Sequence, residues 1–469
     1  MSIITKITSF VRLFKQALTS GENLDYTKGS IDKAIFLLSV PMILEMSMES
    51  VFAVVDAYFV GRLNDNDAVA TIGLTESVLT LIYSIAMGFS MGATAMIARR
   101  VGEKDIKSAE VAAVQTLYIG LALSTVIFFV GVFLSDDILR LMGGSEDLIR
   151  KNIGYTQYML GGNITIMMLF LINGIFRGAG DASIAMRSLI LSNGINIVLD
   201  PLFIFGWGPV PAMGVEGAAI ATVIGRGSGV VYQLYHLVYG KGILKIQVSN
   251  LAVRWDVIKR LVSVSMGGIG QFLIASASWI FLYRIISHFG SAAMAGYTFA
   301  IRVIIFAILP AWGMANAAAT LVGQNLGAGQ PDRAEKSVWR AAFFNMIFLA
   351  IITFLFLMFA RPILNLFSDD PEVIRNGVKC LQIVSIGYVF YAYGMVVTQA
   401  FNGAGDTRTP TLINFFGFWL FQIPFAYSLA ILLELGSPGV FIAIAVAESS
   451  IALAGIWIFR RGKWKMVKI

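Results

Sequence analysis

The chain has 469 residues, 57% of them hydrophobic and only 13% charged, with a mean hydropathy of +0.77. That composition leaves too little polar surface to cover a water-soluble globule of this size and predicts an integral membrane protein. The formal charge of +7 does not indicate nucleic acid, since the basic residues flank apolar runs, and one cysteine (Cys380) with two histidines (His236, His288) excludes an intramolecular disulfide and a Cys/His metal cluster.

Residues 1–32 carry Lys6, Arg12 and Lys15 among Ile, Phe, Val and Leu, without the small-residue cleavage site of a secretory signal. They are expected to lie on the membrane surface as an amphipathic segment. Twelve apolar runs follow, each long enough to cross a hydrocarbon core of ~30 Å as a helix. They fall at 33–57, 68–96, 108–134, 153–176, 183–206, 214–239, 261–287, 293–322, 338–360, 378–401, 409–433 and 439–459. The first six make one lobe (33–240), a basic linker (241–260) follows, the last six make a second lobe (261–460), and 461–469 is a basic tail. With both ends on one side, that side holds 25 of the 35 Lys and Arg, against 8 in the opposite connections. This bias predicts cytoplasmic termini in a cell membrane, inner or plasma.

Ionisable residues inside such runs are costly and mark candidate sites. In the first run, Glu45, Glu49 and Asp56 share one helical stripe, and Glu45 and Glu49 serve either as seam partners or as accessory site residues. In the fifth, Asn193, Asn196 and Asp200 share a face just before Pro201, which frees the carbonyl one turn back at Ile197. A carboxylate beside two amides in an apolar run suggests a proton or cation site. Counting inward from the outer ends of their helices places Asp56, Asp200 and Thr222 roughly 9–12 Å deep, with Glu76 at a similar level. Glu448, in the last run, is read either as a seam hydrogen bond to Ser449, Ser450 or a neighbouring helix, or as a contact for a cationic substrate.

An offset of 225 residues superimposes the second half on the first: Gly88 on Gly313, Gly102 on Gly327, Gln157 on Gln382, and Gly178-Ala-Gly-Asp181 on Gly403-Ala-Gly-Asp406. Six runs per repeat make the repeat parallel. The Gly-Ala-Gly-Asp copies follow no strand and lack the phosphate-loop lysine; tight turns are expected, with Asp181 and Asp406 capping the next helices. The repeat is chemically asymmetric. Asp56, Asn193, Asn196, Asp200 and Thr222 map onto Phe281, Phe418, Phe421, Phe425 and Ala447, which confines the polar site to the first lobe.

Val55-Asp56-Ala-Tyr-Phe-Val-Gly61-Arg62, Asn196-Ile-Val-Leu-Asp200-Pro201, Gly323-Gln324-Asn325-Leu-Gly327-Ala-Gly329 and the paired Gly-Ala-Gly-Asp turns, in order on a six-plus-six repeat, resemble the MATE (multidrug and toxic compound extrusion) family of the MOP superfamily. The resemblance implies an all-α fold of two six-helix lobes in a V around a central cavity. It also implies export of amphipathic, often cationic compounds in exchange for Na⁺ or H⁺, with the ion, Na⁺ included, held at Asp56, Asn196, Asp200 and Thr222. The branch with a Glu in helix 7 and an Asp in helix 10 is not matched, since those helices offer Gln271, Tyr388, Tyr391 and Tyr393. A lipid-linked precursor flippase of the same superfamily is the alternative, and it would need basic residues for pyrophosphate where only Arg226 and Arg302 lie well inside the apolar runs, away from their ends. No nucleophile–base pair or metal pair suggests an enzyme. No cofactor and no nucleic acid are expected; the partners expected are small amphipathic molecules and membrane lipid, with the protein acting as a monomer.

Overall fold

The computed structural model describes residues 3–19, 24–63 and 65–469, and these are almost entirely helical. Residues 1, 2 and 20–23 of the amphipathic segment lie outside the described residues. Helix α1 (Ile3–Thr19) exposes Phe10, Val11 and Phe14 while burying Ala17, the one-sided pattern of a surface helix. The first lobe comprises α2 (Ile31–Gly61), α3 (Asn66–Gly102), α4 (Ile106–Phe133), the short α5 (Ser135–Leu141), α6 (Glu146–Gly161) running into α7 (Asn163–Ala179), α8 (Ala182–Phe205) and α9 (Gly214–Tyr239). The second comprises α10 (Trp255–Ser287), α11 (Ser291–Gly327), α12 (Pro331–Leu364), α13 (Pro371–Ile386), α14 (Tyr388–Ala404), α15 (Arg408–Asn414), α16 (Ile423–Tyr427) and α17 (Ser437–Arg460).

Ten of the helical spans are long and apolar enough to cross a membrane, and α13 with α14, bent by 59° at Gly387, makes an eleventh. The twelfth predicted run is α9, 26 residues long but diluted by glycines, Glu216 and Arg226. Several helices outrun their apolar stretches: α10 begins at Trp255 rather than 261, and α3 continues to Gly102 rather than stopping at 96. Backbone hydrogen bonding continues where hydropathy stops, so polar and basic residues extend a helix past the hydrocarbon. The eleventh run differs in kind. Phe415–Gln422 and Ser428–Leu432 are π-helical, whereas its repeat partner α8 is an ordinary α-helix through Pro201 to Phe205.

Two apolar cores are centred one in each lobe, but Ile35, Leu38 and Met42 of α2 pack into the second-lobe core, and Leu261 and Ile269 of α10 into the first-lobe core. The lobes meet where glycines remove side chains. A Cβ on Gly88 would strike Ile269, one on Gly92 Ser265, one on Gly102 Gln324, and one on Gly313 Met42, all in the half of the molecule nearer the chain ends. The tail adds to this seam: Trp464 stacks on Phe459 at 4.6 Å, and Arg99 and Arg100 of α3 donate to the carbonyls of Val467 (2.7 Å) and Ile469 (3.1 Å).

The two Gly-Ala-Gly-Asp segments do form tight turns, with Gly180 and Gly405 left-handed at φ +89° and +88°. The aspartates diverge. Asp406 accepts from the Thr409 backbone N–H (3.2 Å) and hydroxyl (2.7 Å), as expected of a cap. Asp181 makes no side-chain cap hydrogen bond; it accepts from the Ser183 hydroxyl at 2.8 Å, and its Oδ2 is buried without a partner. Burial pushes the Asp181 carboxyl up to about 6, against the lowering effects of Ser183 and Arg187. A raised carboxyl pKa favours the fold below the unfolded value near 3.8, and that contribution is lost as pH rises through about 6. Asp181→Asn should therefore flatten the fall in thermal stability between pH 5 and pH 7.5 by on the order of 1 kcal/mol, measured by melting the detergent-solubilised protein. An unchanged pH slope would refute this.

Candidate functional site

The predicted polar residues gather where α2, α8 and α9 meet. Helix α9 approaches α8 closely because it is rich in small residues. A Cβ on Gly217 would collide with the Phe203 backbone and one on Gly225 with the Ser192 carbonyl and Asn196, while one on Gly229 would press on the Ser188 carbonyl of α8. This contact carries Thr222 to Asn196. The Asn196 amide donates to Asp200 Oδ1 at 3.1 Å and to Thr222 Oγ1 at 3.4 Å. Asp200 and Asn196 are 0% and 1% exposed, yet Asp200 Oδ2 and Asn196 Oδ1 have no hydrogen-bond partner. A buried acceptor left unpaired costs about 1–3 kcal/mol, and more when it is charged. Two such oxygens, with the Thr222 hydroxyl beside them, make a site that a proton or a cation would complete.

Asp56, on α2, lies within electrostatic reach of Asp200. Asp56 also feels Glu76 on α3 and Arg226 on α9. Glu76 itself is exposed and feels Arg302 from the second lobe. Among the described residues no group of three or more His, Cys, Asp or Glu forms a metal cluster; the oxygens beside Asp200 are the neutral ones of Asn196 and Thr222.

Other candidates are placed elsewhere. Asn193 donates to the Met48 carbonyl of α2 at 2.9 Å, which ties α8 to α2 and leaves it apart from the Asn196–Asp200–Thr222 group. Glu45, fully buried, faces Arg177 at 3.5 Å, and Glu49 faces Arg226 at 3.5 Å. Glu448 lies in the other lobe, on the wall of a separate cavity.

Sequence reasoning undervalued Arg226, noting it only as a basic residue inside a helix. It is 3% exposed, sits over the Phe52 ring at 4.9 Å and near Tyr83 and Phe170 at 5.8 and 5.9 Å, and acts electrostatically on both Glu49 and Asp56. The signal was present: a buried arginine inside an apolar run demands an anion, and Arg226 follows Thr222 by one helical turn.

A family model described as MatE matches residues 41–202 and 269–428. Among curated relatives, the probable multidrug resistance protein NorM of Thermotoga maritima is 25% identical over 438 residues, covering 93% of each chain. The multidrug export protein MepA of Staphylococcus aureus is 22% identical, covering 92% of this chain and 94% of its own. Among solved structures, an outward-facing multidrug resistance MATE family transporter of the MOP superfamily is 27% identical, with a TM-score of 0.88 over 94% of this chain and 98% of its own. A MATE crystal structure in complex with MaL6 has a TM-score of 0.89 at the same identity and coverage.

Proposed function

Because this chain belongs to the MATE family of multidrug membrane transporters, we propose that it is a cation-coupled antiporter. In this reading it exports amphipathic, often cationic organic compounds in exchange for Na⁺ or H⁺, with both chain ends in the cytoplasm. The observation that carries the coupling is the pair of buried, unpartnered oxygens on Asp200 and Asn196, set beside Thr222 and within reach of Asp56.

The mechanism follows from charge. With both carboxylates ionised, Asp56 and Asp200 repel each other in a poorly screened site, and among the described residues Arg226 is the counter-charge that Asp56 feels. A proton on one carboxyl, or Na⁺ held by these oxygens, would relieve the repulsion within the packed α2–α8 contact. Entry of the ion thus favours one arrangement of the first lobe, drug binding favours the opposite one, and the two alternate. Dye efflux from proteoliposomes under an imposed Na⁺ gradient, and separately under an imposed pH gradient, tests the reading. Efflux driven by neither gradient would overturn it.

The second lobe should not share this role. Phe421 and Phe425, at the positions of Asn196 and Asp200, stack on each other at 5.3 Å and offer rings in place of oxygens, with Phe421 exposed where Asn196 is buried. Replacing Phe418, Phe421 or Phe425 by Leu should change substrate preference or thermal stability and leave the ion dependence of efflux unaltered. A shifted Na⁺ or pH dependence in any of the three would contradict a one-sided site.

A further inference from the structure

At the end of the molecule that carries the C-terminal tail, a cavity of about 360 Å³ lies between α3, α4 and the start of α10. Its wall carries Arg100, Lys107, Arg254 and Arg260 against one acid, Asp256, among the described residues. We propose that this cavity binds an anionic phospholipid, whose headgroup phosphate is held by Lys107, Arg254 and Arg260 while its acyl chains run into the bilayer beside Trp255. The site is separate from the Asn196–Asp200–Thr222 group, and binding here requires neither ion coupling nor export.

Three of the four basic groups are uncommitted. Arg100 is spent on Glu103 at 2.6 Å and on the Ile469 carbonyl at 3.1 Å. The side chains of Lys107, Arg254 and Arg260 form no ion pair and no hydrogen bond among the described residues. Neighbouring carboxylates are engaged: Asp105 caps α4 through the Ser108 N–H at 3.1 Å, and Glu110 accepts from the Lys245 N–H at 3.2 Å and from Asn250 at 2.7 Å. Like charges gathered in one concavity repel each other, and an anion relieves them. Two forked guanidinium groups and an ammonium match the several oxygens of a phosphate.

The segment that presents Arg254 is fixed to α4. Gln115 grips it twice, donating to the Ala252 carbonyl and accepting from the Arg254 N–H, each at 3.0 Å, and the Tyr118 hydroxyl donates to the Leu251 carbonyl at 2.7 Å. With the backbone so held, Leu251, Val253 and Trp255 stand 44%, 53% and 69% exposed. Exposed apolar residues and a tryptophan beside basic groups mark the headgroup level of a bilayer. They favour a lipid over a free phosphate, and so does the volume. A water takes about 30 Å³, so a bare phosphate would leave most of the cavity to solvent.

The internal repeat supplies a comparison. A second cavity, in the other lobe, is lined by Gly29, Ile31, Asp32, Arg333 and Lys336, which the 225-residue offset maps onto Arg254, Asp256, Val257, Ser108 and Val111 of the first. There the chain supplies its own acceptors. Arg340 Nε donates to Asp32 Oδ1 at 2.8 Å, and Arg333 donates to the carbonyls of Tyr26 (3.2 Å), Lys28 (3.0 Å) and Gly29 (2.9 Å). In the α4–α10 cavity Val257 stands where Asp32 would neutralise an arginine, and Arg254 replaces Gly29. One internal anion is lost and one cation gained, which leaves the charge to be balanced from outside.

The test is equilibrium binding of phosphatidylglycerol with a fluorescent acyl chain to the detergent-purified full chain, with fluorescent phosphatidylcholine as the neutral reference. Wild type should bind phosphatidylglycerol saturably and at least tenfold more tightly than phosphatidylcholine. Lys107→Gln, Arg254→Gln and Arg260→Gln combined should erase that preference, and Arg375→Gln on α13, remote from the cavity, should leave it intact. Each single Gln substitution in the cavity should weaken phosphatidylglycerol at least threefold without affecting phosphatidylcholine, which keeps the test decisive if the triple variant fails to fold. Glycerol 3-phosphate, which offers the phosphate without chains, should compete at least 100-fold less well than unlabelled phosphatidylglycerol. A preference that survives the Gln substitutions would overturn the proposal. So would glycerol 3-phosphate competing as well as the lipid, which would identify a free-phosphate site.

Discussion

Asp200→Asn is expected to abolish ion-driven export while leaving the protein folded and in the membrane, with a loss in coupled efflux on the order of 100-fold. The change keeps the shape of the side chain, and an amide oxygen can still accept from Asn196, which donates at 3.1 Å. What disappears is the negative charge that the site can exchange for a proton or a cation. An amide in place of the unpartnered Oδ2 also removes the buried acceptor whose cost an ion would relieve. Without that charge, binding an ion no longer distinguishes one arrangement of the first lobe from the other, and an ion with equal affinity for both states shifts nothing. Export of a cationic dye at the parent rate, at equal membrane abundance, would show that coupling lies elsewhere.

The second large effect is a failure of additivity. Asp56→Asn and Asp200→Asn should each remove most of the coupling, and the double variant should be little worse than either single one. The two carboxylates lie within electrostatic reach of each other, so in this account both are needed to create the repulsion that the ion relieves. Residues acting as one unit give interaction energies of roughly 0.5–3 kcal/mol in a double-mutant cycle. Losses that add in free energy would mean that Asp56 and Asp200 serve separate steps. Arg226 provides a built-in comparison, since it is already positive and already within reach of Asp56. Its guanidinium is shared with Glu49 at 3.5 Å and held over Phe52, which leaves Asp200 to be neutralised from outside.

Much of the fold was legible in the sequence because membranes impose a length and a hydropathy on each helix, and because the 225-residue repeat duplicates the same markers. The Gly-Ala-Gly-Asp turns are the clearest case: two left-handed glycines sit at equivalent positions, one in each lobe. The grouping of Asn196 with Asp200 was legible from helical spacing, and that of Thr222 from depth. Asn193 shows where spacing stops helping. It lies on nearly the same helical angle as Asp200 but about 10 Å away along the axis, and at that level it meets the Met48 carbonyl of α2. Angle identifies a face; only packing identifies the neighbour. The same limit applied to Glu45 and Glu49, whose arginine partners come from α7 and α9, and to Asp181, whose backbone turn takes a hydroxyl rather than a capping bond. The π-helical stretches had no readable sign, because an aromatic run such as Phe415-Phe-Gly-Phe-Trp is compatible with either helix type.

The measurement that bears most directly on a first-lobe cation site is counterflow. Proteoliposomes are loaded with a cationic dye, no ion gradient is imposed, and movement of Na⁺ and of H⁺ is followed as the dye runs down its own gradient. Dye leaving the wild-type vesicles should drive one of these ions inward in a fixed ratio, and Asp200→Asn should abolish that ion movement. Dye flux without any opposing ion flux in the wild type, or an ion flux that survives unchanged in Asp200→Asn, would contradict it.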